Sequence, residues 1–280
     1  MSQTRDLTGR TMIVTGANTG LGRVTAEDLC RRGARVHLAG RSAEKTRPVV
    51  DGLRAEGGDA AFLPLDLADL DAVRASAAAF LATGERLDVL VNNAGLAGAH
   101  GLTKQGFEIT FGTNHLGPFL FTQLLLPRLR ESAPARIVKV ASRGHYRAPG
   151  IDWDAQRRPT VTTTAFPEYC VSKLCNVLFT KELARGRAGD GVHSYSLHPG
   201  GVATDVWREV PWGIRHVMKL FMLTNEEGAR TQLWCATSPD VADHDGRYYD
   251  DRKEKRPSAL ADDADLARTL WEKSEAWVAG

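Results

Sequence analysis

Tyr169 and Lys173 stand four residues apart in the run Tyr169-Cys170-Val171-Ser172-Lys173. On a helix both side chains leave the same face about one turn apart. A phenol by itself gives up its proton only near pH ~10, too reluctantly to serve at neutral pH. A cation one turn away favours the phenolate and brings the group toward useful proton transfer. The same spacing occurs on plain solvated helices, so the pair takes its meaning from what surrounds it. Tyr146 is the competing phenol, but Gly150 rather than a lysine stands four residues on, which leaves Tyr169 as the candidate.

A second kind of chemistry is written near the start of the chain. Residues 11–14 form a short apolar run that ends in Thr15-Gly16-Ala17-Asn18-Thr19-Gly20-Leu21-Gly22. Val24, Ala26, Leu29 and Cys30 then make an apolar set suited to a helix, closed by Gly33. Strand, glycine turn and helix in that order let a backbone approach a pyrophosphate, which rests against the helix N-terminus. A plain turn is the alternative, and the position directly after the first strand favours the cofactor. Residues 35–39 read as the second strand, followed by Gly40-Arg41-Ser42. An acidic residue there would suit the ribose hydroxyl of NAD, whereas a guanidinium pairs with a 2′-phosphate. Arg41 therefore points to NADP(H), with Arg23 and Ser42 as possible helpers; its plain alternative is an arginine capping an exposed strand end.

Further elements must bring these two chemistries together. Residues 61–65 are expected as the third strand, delivering Asp66 and Leu67, and 69–81 as a helix. Residues 87–91 make the fourth strand, running into Asn92-Asn93-Ala94-Gly95, whose small side chains admit a flat ring or a sugar, or else form an Asn-Gly type of turn. A helical stretch at 107–130 carries Asn114, with Gly112, Gly117 and Pro118 nearby; such residues cost helix stability and mark a functional bend. Residues 137–141 are the fifth strand and end at Ser142. The polar segment 143–168, with Trp153, Pro159 and a threonine run at 162–164, reads as an excursion over the site. The helix of Tyr169 runs to about 183, and 192–197 is a sixth strand leading to His198-Pro199-Gly200-Gly201-Val202-Ala203-Thr204. Residues 205–224, bearing Trp207, Trp212, Val217, Met218, Phe221 and Met222, form either a substrate lid or a helix packed on the core. Thr224 and Glu227 suit a capping box, 246–249 a last strand, and 264–277 a helix within a C-terminal extension at 251–280. No repeat or long linker divides the chain, so one domain is expected over 1–280.

Composition removes other classes of function. The chain has 280 residues, 42% hydrophobic and 25% charged, which is ordinary for a globular protein. A net charge of +2 gives no field for nucleic acid or an anionic membrane. Cys30, Cys170, Cys175 and Cys235 have no metal-ligand spacing and read as reduced thiols, so no metal is expected. No apolar run reaches the roughly 18 residues that span a bilayer. Residues 1–6 are polar and lack the core of a signal peptide, so a cytoplasmic protein without a membrane anchor is expected.

TGxxxGxG at 15–22, NNAG at 92–95, Asn114, Ser142, YxxxK at Tyr169 and Lys173, and PG-x-V-x-T at 199–204 stand in one order. Together they resemble the short-chain dehydrogenase/reductase family over residues 9–250, and the wording around Asn114 and Ala39-Gly40-Arg41 is similar to its retinol dehydrogenase-like branch. The resemblance implies an α/β fold, a single doubly wound (Rossmann) domain with a seven-stranded parallel sheet in the order 3-2-1-4-5-6-7 and helices on both faces. It implies catalysis by Asn114, Ser142, Tyr169 and Lys173. Tyr169 would exchange a proton with a carbonyl or alcohol oxygen, Lys173 would lower its pKa and hold the nicotinamide ribose, Ser142 would bond the carbonyl oxygen, and Asn114 would hold a relay water. Gly16, Asn18, Thr19, Gly20, Leu21 and Gly22 would hold the pyrophosphate, and Arg41 and Ser42 the 2′-phosphate. Asp66 and Leu67 would meet the adenine, Asn93, Ala94 and Gly95 the adenosine side, and Pro199, Gly200, Val202 and Thr204 the carboxamide. The function implied is hydride transfer between NADPH and a small apolar aldehyde, ketone or alcohol, in a homodimer or homotetramer built through the Asn114 and Tyr169 helices. A non-catalytic NADP(H)-binding regulator and a nucleotide-sugar epimerase are the competing classes. The first has no need of all four catalytic residues, and the second usually has a larger C-terminal domain.

Overall fold

A computed structural model describes residues 5–201 and 224–279. Its strands read as apolar runs because both faces of the sheet are covered. The elements are β1 (Thr11–Thr15), α1 (Gly20–Arg31), β2 (Arg35–Gly40), α2 (Ala43–Ala55), β3 (Asp59–Pro64), α3 (Leu70–Leu81) and β4 (Val89–Asn92). After them come α4 (Ile109–Phe111), a π-turn (Gly112–Leu116), α5 (Gly117–Glu131), β5 (Ala135–Val140), α6 (Phe166–Glu182) and β6 (Val192–His198). The chain continues through α7 (Asn225–Thr237), β7 (Arg247–Asp250), β8 (Lys253–Glu254), α8 (Ala259–Asp262) and α9 (Ala264–Ala279).

The sheet order is β3-β2-β1-β4-β5-β6-β7-β8. The seven parallel strands stand in the expected order, and β8 adds a short antiparallel edge to β7. Alternate residues feed two cores: Leu90 and Ile137 face α3, α5, α6 and α9, while Val91 and Val138 face α1, α2 and α7. Strand edges shift from expectation where pairing continues the ladder. Asp59 starts β3 because it pairs with Arg35 in backbone register and by a 2.6 Å ion pair.

At the edge where the strands begin, Asp88 ties β1 to β4. It is 2% exposed. Its carboxylate accepts from the Thr11 amide at 2.8 Å and from Arg10 at 2.6 Å and Arg86 at 2.8 Å. At the opposite edge the expected bend in the 107–130 helix is a π-turn. Pro118 has no N–H and its ring would clash with the carbonyl of Asn114, four residues back, so the regular ladder cannot pass. The Gly117 amide reaches five residues back to the Gly112 carbonyl instead.

The 143–168 excursion contains two 3₁₀ turns, Arg143–Arg147 and Ala155–Arg157. Buried Glu108 fastens it: its amide donates to the Gln156 carbonyl at 2.9 Å, and its carboxylate accepts from Thr160. The capping box forms as expected, with Thr224 and Glu227 bonded reciprocally. The expected lid lies outside the described residues. Helix α6 is buried from Tyr169 through Thr180, on all its sides, because α9 crosses it. Trp271 of α9 stacks on Phe179 at 5.7 Å and meets Phe119 edge-on at 5.0 Å.

Candidate active site

The C-terminal ends of β1, β2, β4, β5 and β6 frame a cavity of about 610 Å³. This is the edge where open α/β sheets hold ligands. Gly16, Asn18, Thr19, Gly20, Leu21 and Gly22 line it from the first turn, Arg41 and Ser42 from β2, Asp66 and Leu67 from β3, and Asn93, Ala94 and Gly95 from β4. Ser142, Tyr169 and Lys173 close one end, and Pro199 and Gly200 follow β6 into it. Val202 and Thr204 lie outside the described residues.

Backbone shape explains the glycine turn. Gly16 has φ +68°, a left-handed conformation that favours glycine. A Cβ on Gly22 would lie 2.4 Å from the Gly16 carbonyl oxygen and 2.5 Å from the Asn93 amide nitrogen. Asn93 is held there by donating its side-chain amide to the Thr15 carbonyl at 2.8 Å, while Thr15 Oγ1 accepts from the Asn93 and Ala94 amides. Gly22→Ala therefore pushes α1 away from the turns that follow β1 and β4, and dinucleotide affinity is expected to fall about tenfold or more, the effect of ~1.4 kcal/mol. Calorimetric titration with NADPH checks this, and wild-type affinity would mean that the turn yields without cost.

The lining suits a dinucleotide. No acidic residue occupies the first turn of α1, so nothing repels phosphate from its amide end. Arg41 stands at the other end of the cavity. Lys45, which sequence reasoning missed, lines the cavity beside it. Its signal was its position four residues after Arg41, in the first turn of α2. Ser42 spends its hydroxyl on the Lys45 amide at 3.2 Å as the α2 cap. Arg23, expected as a helper, instead pairs with Glu27 at 2.7 Å along α1. Tyr146 is 48% exposed and donates to the Arg256 carbonyl, which takes it out of competition with Tyr169.

Tyr169 and Lys173 come from one face of α6, as their spacing requires. Ser142, at the end of β5, shares a side-chain hydrogen bond with Tyr169 and accepts from the Gly144 amide at 3.1 Å. Burial pushes the Tyr169 phenol up to about 12, and the Ser142 bond acts against that rise. Lys173 stands beside the phenol on the same face of α6. Its Nζ lies 5.5 Å from the Tyr169 ring centre and donates to the Val140 carbonyl at 3.0 Å, and burial pushes it down to about 8. His198 sits at the cavity wall with its ring also driven down, to about 4, chiefly by burial. The free site thus holds a protonated phenol beside an amine close to its own midpoint.

Asn114 is behind the wall rather than on it. Its side-chain oxygen accepts from the Leu96 amide at 2.8 Å, and its nitrogen donates to the Leu96 carbonyl at 2.9 Å and to Ser172 Oγ at 3.0 Å. Ser172 in turn donates to the Tyr169 carbonyl at 2.8 Å. The amide group thus pins the loop after β4 to α6. Its backbone carbonyl accepts from Lys139 Nζ at 3.2 Å, a partner that sequence reasoning did not assign. Among the described residues no cluster of His, Cys, Asp or Glu is placed to hold a metal ion, and no helix is long and apolar enough to cross a membrane.

Comparison with known proteins agrees with this architecture. Residues 10–153 match the short chain dehydrogenase family model, and the chain belongs to that oxidoreductase family. Dehydrogenase/reductase SDR family member 13 of Bos taurus is 43% identical over 96% of this chain and 73% of its own length. Human retinol dehydrogenase 11 is 41% identical over 98% of this chain and 87% of its own. Among solved structures, a functionally uncharacterised protein of Mycobacterium paratuberculosis superposes with TM-score 0.77 at 32% identity, covering 100% of this chain and 98% of that one. The Pseudomonas aeruginosa RhlG complex with NADP superposes with TM-score 0.70 at 27% identity, covering 89% and 97%.

Proposed function

We propose that this protein transfers hydride between NADPH and a small apolar aldehyde or ketone, or the corresponding alcohol. The observation that carries this is the convergence of Ser142, Tyr169 and Lys173 at one end of a cavity whose far end holds Arg41 and Lys45. NADPH, when bound, supplies the hydride. Ser142 bonds the substrate oxygen and steadies the charge that develops there. Tyr169, protonated throughout the neutral range, is ready to give a proton to that oxygen. Lys173 holds positive charge beside the phenol below about pH 8, which favours the phenolate left behind. Relatives named retinol dehydrogenase support an apolar substrate class.

The test is a side-by-side titration with NADPH and NADH, followed by NADPH consumption across a panel of aldehydes and ketones. Binding without turnover across a broad panel would overturn the catalytic reading. Arg41→Ala is expected to weaken NADPH by about tenfold or more and leave NADH within about twofold, since a charged hydrogen bond contributes roughly 1.5–3 kcal/mol. Equal losses for both cofactors would show that Arg41 does not meet the 2′-phosphate.

A further inference from the structure

The turn that follows Ser142 is held by a part of the chain that the reaction just described does not use. His145, in the 3₁₀ turn Arg143–Arg147, is 0% exposed. Its Nδ1 lies 2.6 Å from the Ser142 carbonyl oxygen, and its Nε2 accepts from the Ser258 amide at 3.2 Å. The ring packs against both Tyr146, with centres 4.0 Å apart, and Tyr248, at 4.8 Å. Ser258 caps α8, and the chain from β7 to that cap touches the same turn twice more. Arg143 pairs with Asp250 at 2.7 Å, and Tyr146 donates to the Arg256 carbonyl.

The two partners decide where the ring proton sits. A backbone N–H can only donate, so the Nε2 facing Ser258 carries a lone pair. A carbonyl can only accept, so the proton is on Nδ1 and is donated to Ser142. The Ser142 carbonyl thus takes the ring N–H as well as the His145 amide at 3.2 Å, which fills both of its lone pairs. On the side-chain end of the same residue, Oγ accepts from the Gly144 amide at 3.1 Å and shares its bond with Tyr169. A hydroxyl that must meet a substrate oxygen to within about 0.5 Å needs its own backbone fixed.

We propose that His145 is a positioning residue for Ser142 and that residues 250–258 are the strap that fixes it: the Ser258 amide sets the ring tautomer, and the Nδ1–H so defined clamps the Ser142 carbonyl. The role rests on the reductase reading, in which Ser142 bonds the substrate oxygen. His145 is not among the residues lining the cavity, so it acts through Ser142 and exchanges no proton with substrate. A histidine kept only for packing would need its ring and not its nitrogens, and substitution separates the two.

The clamp is read first without any turnover. In ¹⁵N-labelled protein the His145 ring signals, identified by their loss in His145→Phe, are expected to show a proton on Nδ1 and none on Nε2. The reverse tautomer overturns the proposal. His145→Phe keeps an aromatic ring between the tyrosines and loses both bonds, so exchange of the Gly144 amide with solvent is expected to quicken about tenfold. Unchanged exchange overturns the clamp, whatever the protein turns over. The strap is tested by Ser258→Pro, which removes the amide hydrogen at a φ of −62° that suits proline. Its control is Ser258→Ala, which loses the same hydroxyl cap and keeps the N–H. In turnover, kcat is expected to fall about tenfold or more in His145→Phe and Ser258→Pro, and to stay within about threefold in Ser258→Ala. NADPH affinity should remain within about twofold in all three. Equal losses in the two Ser258 variants would overturn the strap, and NADPH affinity lost in step with kcat would show a structural role alone. Absence of turnover by the unaltered protein would sink the reductase reading separately, with the exchange arm still deciding the clamp.

Discussion

Tyr169→Phe is expected to lower kcat by about a thousandfold, or ~4 kcal/mol of barrier, within the range that general acid catalysis supplies. NADPH affinity should remain within about twofold, since the ring and its packing against Phe166 are kept. The lost group is the one hydroxyl that shares a bond with Ser142 at the end of β5. Burial keeps that phenol protonated well past neutral pH, so the free protein presents a donor and not a phenolate. Reduction by the wild type should therefore decline as pH rises through about 8, where Lys173 loses its charge, and not through a titration of Tyr169. The folded pKa of Lys173 is depressed from 10.5, so its burial penalises folding fully below about pH 8, and that penalty is relieved as pH climbs toward 10.5. Stopped-flow single turnover and equilibrium titration of Tyr169→Phe separate chemistry from binding. Loss of NADPH affinity with intact chemistry would make Tyr169 a binding residue and defeat the proposed mechanism.

Asp88→Ala is expected to destabilise the fold by about 3 kcal/mol, the scale of breaking a buried charge network. The substitution leaves the Thr11 amide, at the buried start of β1, without its acceptor, and Arg10 and Arg86 without a counter-charge. Both arginines are nearly half exposed, so water screens their share and the orphaned amide carries most of the loss. Asp88→Asn keeps an acceptor for Thr11 and should lose about half as much. Because Asp88 sits at the edge of the sheet opposite the cavity, kcat should stay within about twofold of wild type at temperatures where the variant is folded. Urea denaturation checks the first claim through a lower midpoint at unchanged slope. A midpoint equal to wild type would show that the ion cluster holds nothing.

The order of the strands came with the family resemblance, whereas the strands themselves and the place of the site could be read from residues because each depends on local chemistry. A glycine turn, a cation after β2 and a phenol–amine pair on one helix face keep their meaning whatever the rest of the chain does. Asn114 was legible as a bend, since two glycines and Pro118 flank it, but not as the brace that joins Leu96, Ser172 and Lys139, which needs three distant segments together. Lys139 stood in plain view as the single charge in Ile137-Val138-Lys139-Val140. Alternation along a strand, however, makes such a lysine look solvent-facing, and only the covering of both sheet faces buries it. The covering of α6 by α9 was equally hidden. Helical spacing announces an apolar stripe without saying which surface meets it.

That last helix has a consequence for how the protein would fail. Residues 251–256 are exposed, whereas α9 beyond them seals Phe119 and Phe179 beneath Trp271. Cutting the exposed stretch would release the seal and bare an aromatic seam on the helix that bears Tyr169. Such a seam invites clumping between damaged molecules. One protease nick in this exposed stretch would thus extinguish the activity and seed a precipitate together.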